Sequence, residues 1–275
     1  MKGMTTHEDR GGALIYKQRL ATRATHWLWA VCLFFLLLSG LQIFMARPDL
    51  YIGQQSGFTF DNAVLSIGSE IVDGTRRGFV DLFGARFDTT GWLGAIWSNG
   101  ALQSRTFPTW MTIPSYRDLG SGRVVHFFFA WLLVATLLVW LVASLANGHL
   151  KRDIVPTRRD LREIGPDIAA HARLEFDRRR EYNVLQKLSY GSVLFIAFPL
   201  IVATGLAMSP GTNAIVPWIT DIFGGRQTAR TIHFIAMLAL VAFFVVHVVM
   251  VVAAGPMNEL RSIVTGWYRT DPESE

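Results

Sequence analysis

The sequence predicts an all-α fold, a polytopic membrane four-helix bundle with a long extracytoplasmic loop. Three observations carry that prediction. Four apolar stretches, at about 27–46, 124–146, 188–208 and 232–254, each reach the roughly 20 residues a helix needs to cross a bilayer. About half of the 275 residues are hydrophobic, in a pattern that excludes a soluble two-domain enzyme. The basic residues are concentrated in the amino-terminal tail and in one connection, as expected of a topological signal. Helices are the spanning elements because lipid leaves every backbone polar group to be satisfied within its own segment.

The charge distribution orients the bundle. The connection 147–187 carries Lys151, Arg152, Arg158, Arg159, Arg162, Arg173, Arg178, Arg179, Arg180 and Lys187. The tail adds Lys2, Arg10, Lys17, Arg19 and Arg23, whereas the connection before the last span has only Arg226 and Arg230. The positive-inside rule then places both termini and the basic loop in the cytoplasm and the connection 47–123 outside. The basic pI therefore points to topology and not to nucleic acid. The whole of 1–275 reads as a single integral membrane domain, with the first span retained and not cleaved as a signal peptide.

The long first connection has its own pattern. Between 58 and 83, Val64, Leu65, Ile71 and Val72 recur at helical spacing among charged residues, which predicts an amphipathic helix lying along the outer membrane surface. Beyond it, Trp92, Trp97, Phe107, Trp110 and Tyr116 alternate with Gly and Pro, a composition suited to the headgroup layer. In the basic loop, Pro156 and Pro166 break helices, and 169–181 reads as a solvated helix face. A lone cysteine, Cys32, lies inside the first span. It excludes an internal disulfide, a cysteine-ligated iron–sulfur cluster and a covalently attached c-type haem.

Four histidines stand in the apolar stretches or at their edges, where ionisable groups are costly and mark function. His233 and His247 are fourteen residues apart in the last span, on one helix face and about 21 Å apart along the axis. In the predicted topology His26 lies near the cytoplasmic face and His126 near the outer face. Depth pairs His26 with His247 and His126 with His233. Two stacked bis-histidine haems, two haem b per chain, require that arrangement. A lone membrane histidine is as readily a hydrogen-bond partner of a neighbouring helix, but two depth-matched pairs favour ligation. Zinc fits poorly, because each site offers two protein ligands instead of three or four. His7, His149 and His171 fall in tails or loops and are expected to be solvated.

Gly40 lies fourteen residues after His26, and Gly191 and Gly205 repeat that spacing in the third span. Small residues there admit a flat macrocycle, although ordinary helix packing also uses them. Arg23 and Arg123 each precede a histidine by three residues. Both are placed to pair with haem propionates, and snorkelling interface anchors account for them equally well. With both axial positions filled, no open iron site remains, so the chain carries electrons and has no catalytic residue of its own.

Arg23, His26 and Trp27, with His126, the His233/His247 pair and the run Tyr182, Asn183, Gln186, Lys187 and Tyr190, resemble the di-haem cytochrome b subunits of formate dehydrogenases, nickel–iron hydrogenases and thiosulfate reductases. The likeness covers all four spans. The long outer loop is closer to the thiosulfate-reductase-like branch. This resemblance implies a bacterial inner-membrane subunit passing electrons between the quinone pool and an extracytoplasmic oxidoreductase of the molybdopterin-dependent type. It also implies a quinone site beside the cytoplasmic haem, formed by Asn183, Gln186, Lys187 and Tyr190. Their side chains offer hydrogen-bond donors for quinone carbonyls, and a polar helix start with a snorkelling Lys187 is the other account of the run. Alternatives are a stand-alone quinol or metal reductase and, in another class, a haem-free membrane anchor or transporter. Against transport, no inverted repeat is visible.

Overall fold

The computed structural model describes residues 12–57, 62–173 and 182–270. His7, and residues 174–181 of the expected charged face, lie outside them. The elements run β1 (Leu14–Tyr16), α1 (Leu20–Phe44), β2 (Asp49–Tyr51), β3 (Ala63–Val72), β4 (Thr75–Leu82), β5 (Ala85–Asp88), β6 (Ala95–Ser98), β7 (Ala101–Ser104) and α2 (Leu119–Ala146). They continue with α3 (Arg158–Arg162), α4 (Ile164–Ala172), α5 (Val184–Ser192), α6 (Phe198–Met208), α7 (Pro210–Ile215), α8 (Trp218–Ile222), α9 (Arg226–Ala254), α10 (Pro256–Thr265) and β8 (Trp267–Arg269).

Four helical segments, Leu20–Phe44, Leu119–Ala146, Val184–Met208 and Arg226–Ala254, are long and apolar enough to cross a membrane. Each begins before its predicted span; the last three contain theirs, and the first ends at Phe44, two residues short of the predicted 46. The third is α5 and α6 joined by a π-turn at Val193–Ala197. Pro199 lies two residues beyond it, and a proline ring cannot continue the preceding hydrogen-bond ladder, which accounts for the irregular turn. Phe128, Trp131 and Val142 on α2, and Phe244, Val245 and Val249 on α9, are all more than half exposed. Apolar faces of this extent suit lipid and not water.

The chain divides into two compact units. One combines residues 1–27, 137–196 and 241–275. Within it β1 pairs antiparallel with β8, and Asn258 of α10 bonds to both backbone groups of Arg269. The other combines 28–136 and 197–240. Its core is Leu41, Phe44, Met45, Leu50, Ile67 and Phe107, with Phe234 and Met237 packed against it. Hydrogen bonds from Arg230 to the Arg47 and Asp49 carbonyls, and from Thr231 to the Tyr51 carbonyl, tie the start of α9 to β2.

The amphipathic helix expected between 58 and 83 is corrected by the structure. The strands between Asp49 and Asp88 pair antiparallel in the order β2-β3-β4-β5, followed by the β6-β7 hairpin. Leu65 and Ile67, two residues apart and so on one face of β3, turn to the core with Val80 of β4. The loop is therefore a β-structured cap, and the chain is not all-α.

Gly94, between β5 and β6, cannot be replaced. Its φ is +76°, and a methyl there would lie 1.9 Å from the Gly68 carbonyl oxygen. Gly94→Ala is expected to cost this sheet about 3 kcal/mol or more. Limited proteolysis of the purified protein should then cut within 63–104, while the wild type resists.

Candidate functional site

Each histidine pair falls inside one unit. His26 of α1 and His247 of α9 bring their ring centres to 6.3 Å, with the planes at 56°. Trp27 lies edge-on to His26, and Phe243 stacks on His247. His126 of α2 and His233 of α9 repeat the arrangement at 6.4 Å and 58°. Two metal–imidazole bonds of about 2 Å, with each nitrogen about 1.1 Å from its ring centre, separate trans ring centres by about 6.3 Å. Rotation about those bonds leaves the angle between the planes free.

The donor set narrows what each pair could hold. Among the described residues, no group of three or more His, Cys, Asp or Glu could hold a bare metal ion. Two imidazoles alone suit a metal whose remaining ligands come with it, as in a haem. Gly40 and Gly205 lie against the second pair: a methyl on Gly40 would be 3.3 Å from His126 Cε1, and one on Gly205 3.5 Å from His233 Cε1. A methyl on Gly191 would meet no protein atom within 4 Å. In the first pair, His26 Nδ1 is buried without a hydrogen-bond partner. Arg23, one turn earlier, donates to the Val264 carbonyl while its Nε is buried and unpartnered. Arg123 is exposed and rests over the Phe127 ring.

The run entering the third span is locally engaged. Asn183 caps α5, its side chain accepting the Gln186 N–H at 2.8 Å, and Gln186 Oε1 accepts the Asn183 N–H at 3.2 Å. This reciprocal cap satisfies two donors that the helix start leaves open. Lys187, only 5% exposed, donates to both carboxylate oxygens of Asp160 at 3.0 and 2.9 Å. Burial works against ionisation of Asp160, but hydrogen bonds from the Thr157 N–H and the Lys187 ammonium hold its carboxyl below the usual range.

Tyr190 lies edge-on to Tyr182, with ring centres 5.5 Å apart. The Tyr182 hydroxyl accepts a 2.6 Å hydrogen bond from Gln18, and burial pushes its pKa up to about 12. The Lys17 ammonium lies 5.0 Å from the Tyr182 ring centre and 4.2 Å from that of Tyr268. Burial lowers the pKa of Lys17, and Glu259 opposes that shift.

The solvated placement expected for His149 and His171 is corrected. His149 is 8% exposed, with Nδ1 2.7 Å from Asp153 and its ring edge-on to Trp140. Asp153 sits four residues on, one turn away, and supplies the polar partner that burial requires. His171 is half-buried, with Nδ1 2.8 Å from the Asp167 carbonyl. Two groups without a role in the sequence reading also stand at the second pair. Ser39 Oγ lies 3.1 Å from His126 Nδ1, and Thr204 Oγ1 lies 3.0 Å from His233 Nδ1. Their signal was a hydroxyl residue directly before each of Gly40 and Gly205.

Four membrane-length helices, three of which carry histidines that meet in pairs, define a membrane cytochrome of the b class. The chain belongs to the prokaryotic cytochrome b561 family, whose model matches residues 89–266. It is also similar to the putative protein-methionine-sulfoxide reductase subunit YedZ1 of Azospira oryzae, 31% identical over 231 residues that cover 83% of this chain and 86% of the relative. No solved structure matches it. The family bears out the resemblance to membrane cytochrome b subunits: this is a haem-b-binding electron-transfer subunit of the membrane.

Proposed function

We propose that the chain binds two haem b and transfers electrons between the quinone pool and an extracytoplasmic oxidoreductase of the molybdenum class. The observation that carries the two-haem reading is the pair of ring separations, 6.3 and 6.4 Å, each suited to one iron between two imidazoles. His26 with His247 would hold one haem, and His126 with His233 the other. Bound between them, haem b supplies reversible one-electron transfer. Gly40, Gly191 and Gly205 would leave room for the macrocycles. Arg23 and Arg123 pair with propionates, a role that the unpartnered buried Nε of Arg23 supports for the first.

Quinone binds by the start of the third span. Asn183 and Gln186 orient its carbonyls, Tyr190 packs against the ring, and Lys187 with Asp160 holds a charge pair beside it. The chain lies in the bacterial inner membrane with both termini cytoplasmic, as the basic tail and loop favour. The partner reading is supported by the relative's description as a subunit of a reductase. Trp92, Trp97 and Trp110, each more than half exposed around a groove of about 590 Å³, offer the outer cap as the docking face.

The test is a reduced-minus-oxidised spectrum of the purified protein with pyridine haemochrome quantification, for which two low-spin haem b per chain are expected. One haem would remove one pair from the proposal. A native preparation yielding no molybdenum protein would favour a stand-alone quinol or metal reductase.

Asn183→Asp separates the quinone role from the capping role. Aspartate caps a helix as well as asparagine does, but it brings no amide donor. Quinol-driven haem reduction is expected to fall about tenfold, since an unmatched polar contact costs about 1–3 kcal/mol, while the melting temperature stays unchanged. An unchanged rate would leave Asn183 with capping alone.

A further inference from the structure

His126 and His233 differ from His26 in what meets their Nδ1 atoms. At the His126–His233 pair the same device occurs twice, a hydroxyl residue followed by a glycine: Ser39-Gly40 on α1 and Thr204-Gly205 on α6. Each glycine lets its helix approach an imidazole, and each hydroxyl meets that imidazole at Nδ1. Both hydroxyl residues are fully buried, at 0% exposure. In the other unit Gly191 follows Tyr190, and the hydroxyl beside His26, on Thr25, is bonded to the Ala21 carbonyl instead.

Counting protons gives a consistent direction for these bonds. A hydroxyl has one proton. That of Ser39 is directed to the Phe35 carbonyl at 2.6 Å, and that of Thr204 to the Leu200 carbonyl at 2.8 Å. Such bonds back to the previous helical turn are the usual ones for Ser and Thr inside helices. With each hydroxyl proton so placed, the oxygen accepts from an imidazole that carries its proton on Nδ1. The Nε2 lone pairs of His126 and His233 are then free for iron.

We propose that Ser39 and Thr204 are positioning residues that hold His126 and His233 in the iron-binding tautomer and lower the reduction potential of the haem between them. A hydrogen bond accepted from Nδ1–H makes the imidazole more basic, and a more basic axial ligand favours ferric iron. His26 Nδ1, buried without a partner, has no such support. The inference rests on the ligation proposed above.

Redox titration of the purified full chain, followed optically and by electron paramagnetic resonance, tests it. His126→Ala first identifies which of the two waves belongs to this pair. Ser39→Ala and Thr204→Val then remove the hydroxyls with little change of volume. Each is expected to shift the reduction equilibrium of that haem about threefold toward the ferrous form. The double variant should shift it about tenfold, or about 59 mV for one electron. The other wave stays in place, two haems per chain are retained, and the low-spin ferric signal of the affected haem moves. Thr204→Ser restores the wild-type potential.

A potential that does not move, waves that move together, or a Thr204→Ser protein that behaves like Thr204→Val would overturn the inference. Loss of the haem from the hydroxyl variants would overturn it too, since the hydroxyls would then serve insertion and not tuning. Failure of the underlying ligation is separately visible: His126→Ala and His233→Ala would then keep both haems.

Discussion

His126→Ala and His233→Ala are each expected to leave one haem b per chain, and His26→Ala and His247→Ala to remove the other one. The argument is geometric. At ring-centre distances of 6.3 and 6.4 Å, each imidazole has one partner suited to share an iron with it. Within a pair the two substitutions should therefore act on the same haem. Pyridine haemochrome analysis reads the stoichiometry, and redox titration reads which wave disappears. If His126→Ala and His233→Ala erased different waves, the pairing would be wrong even with two haems present. A folded wild-type preparation made with haem available and holding none would return the chain to the anchor or transporter reading.

Lys187→Met is expected to destabilise the unit that contains the His26–His247 pair by about 2 kcal/mol. Breaking a fully buried ion pair costs about 3–5 kcal/mol, because the remaining charge has no partner. The figure is smaller here because the Asp160 side chain keeps 15% of its exposure. Adding Asp160→Asn should recover most of the loss, since the stranded carboxylate is then gone. Denaturant unfolding in mild detergent, run as a double-mutant cycle, measures both.

The pH dependence has a definite sign. The folded carboxyl of Asp160 titrates below its ordinary value, so its contribution is present above about pH 4 and is lost as the pH falls through the lowered value. Lys187→Met should flatten that acid limb. A slope equal to that of the wild type would mean that Asp160 draws its support from Thr157 alone.

The helices were legible because length and apolar composition decide them locally. The stretches at about 124–146, 188–208 and 232–254 lie within the observed helices, and that at about 27–46 overruns its helix by two residues. The fourteen-residue spacing of His233 and His247 places both on one face whatever surrounds them. The cap after α1 was misread because Val64, Leu65, Ile71 and Val72 fit a helical period as well as a strand. A better local signal was present. Asp73-Gly74, Phe83-Gly84 and Asn99-Gly100 all have positive φ and form the two-residue turns of three hairpins. Asp-Gly and Asn-Gly are the residue pairs such turns prefer.

What the sequence determined by itself is therefore the membrane class, the helices, and the histidine positions along them, all set by covalent spacing and hydrophobicity. Tertiary structure alone decided the partners of side chains that reach across elements. Ser39 meets His126 across 87 positions, Thr204 meets His233 across 29, and Lys187 meets Asp160 across 27. A hydroxyl or an ammonium carries no mark in sequence of which distant group will satisfy it. Burial obliges it to find one, and only the packing of the helices selects which group that is.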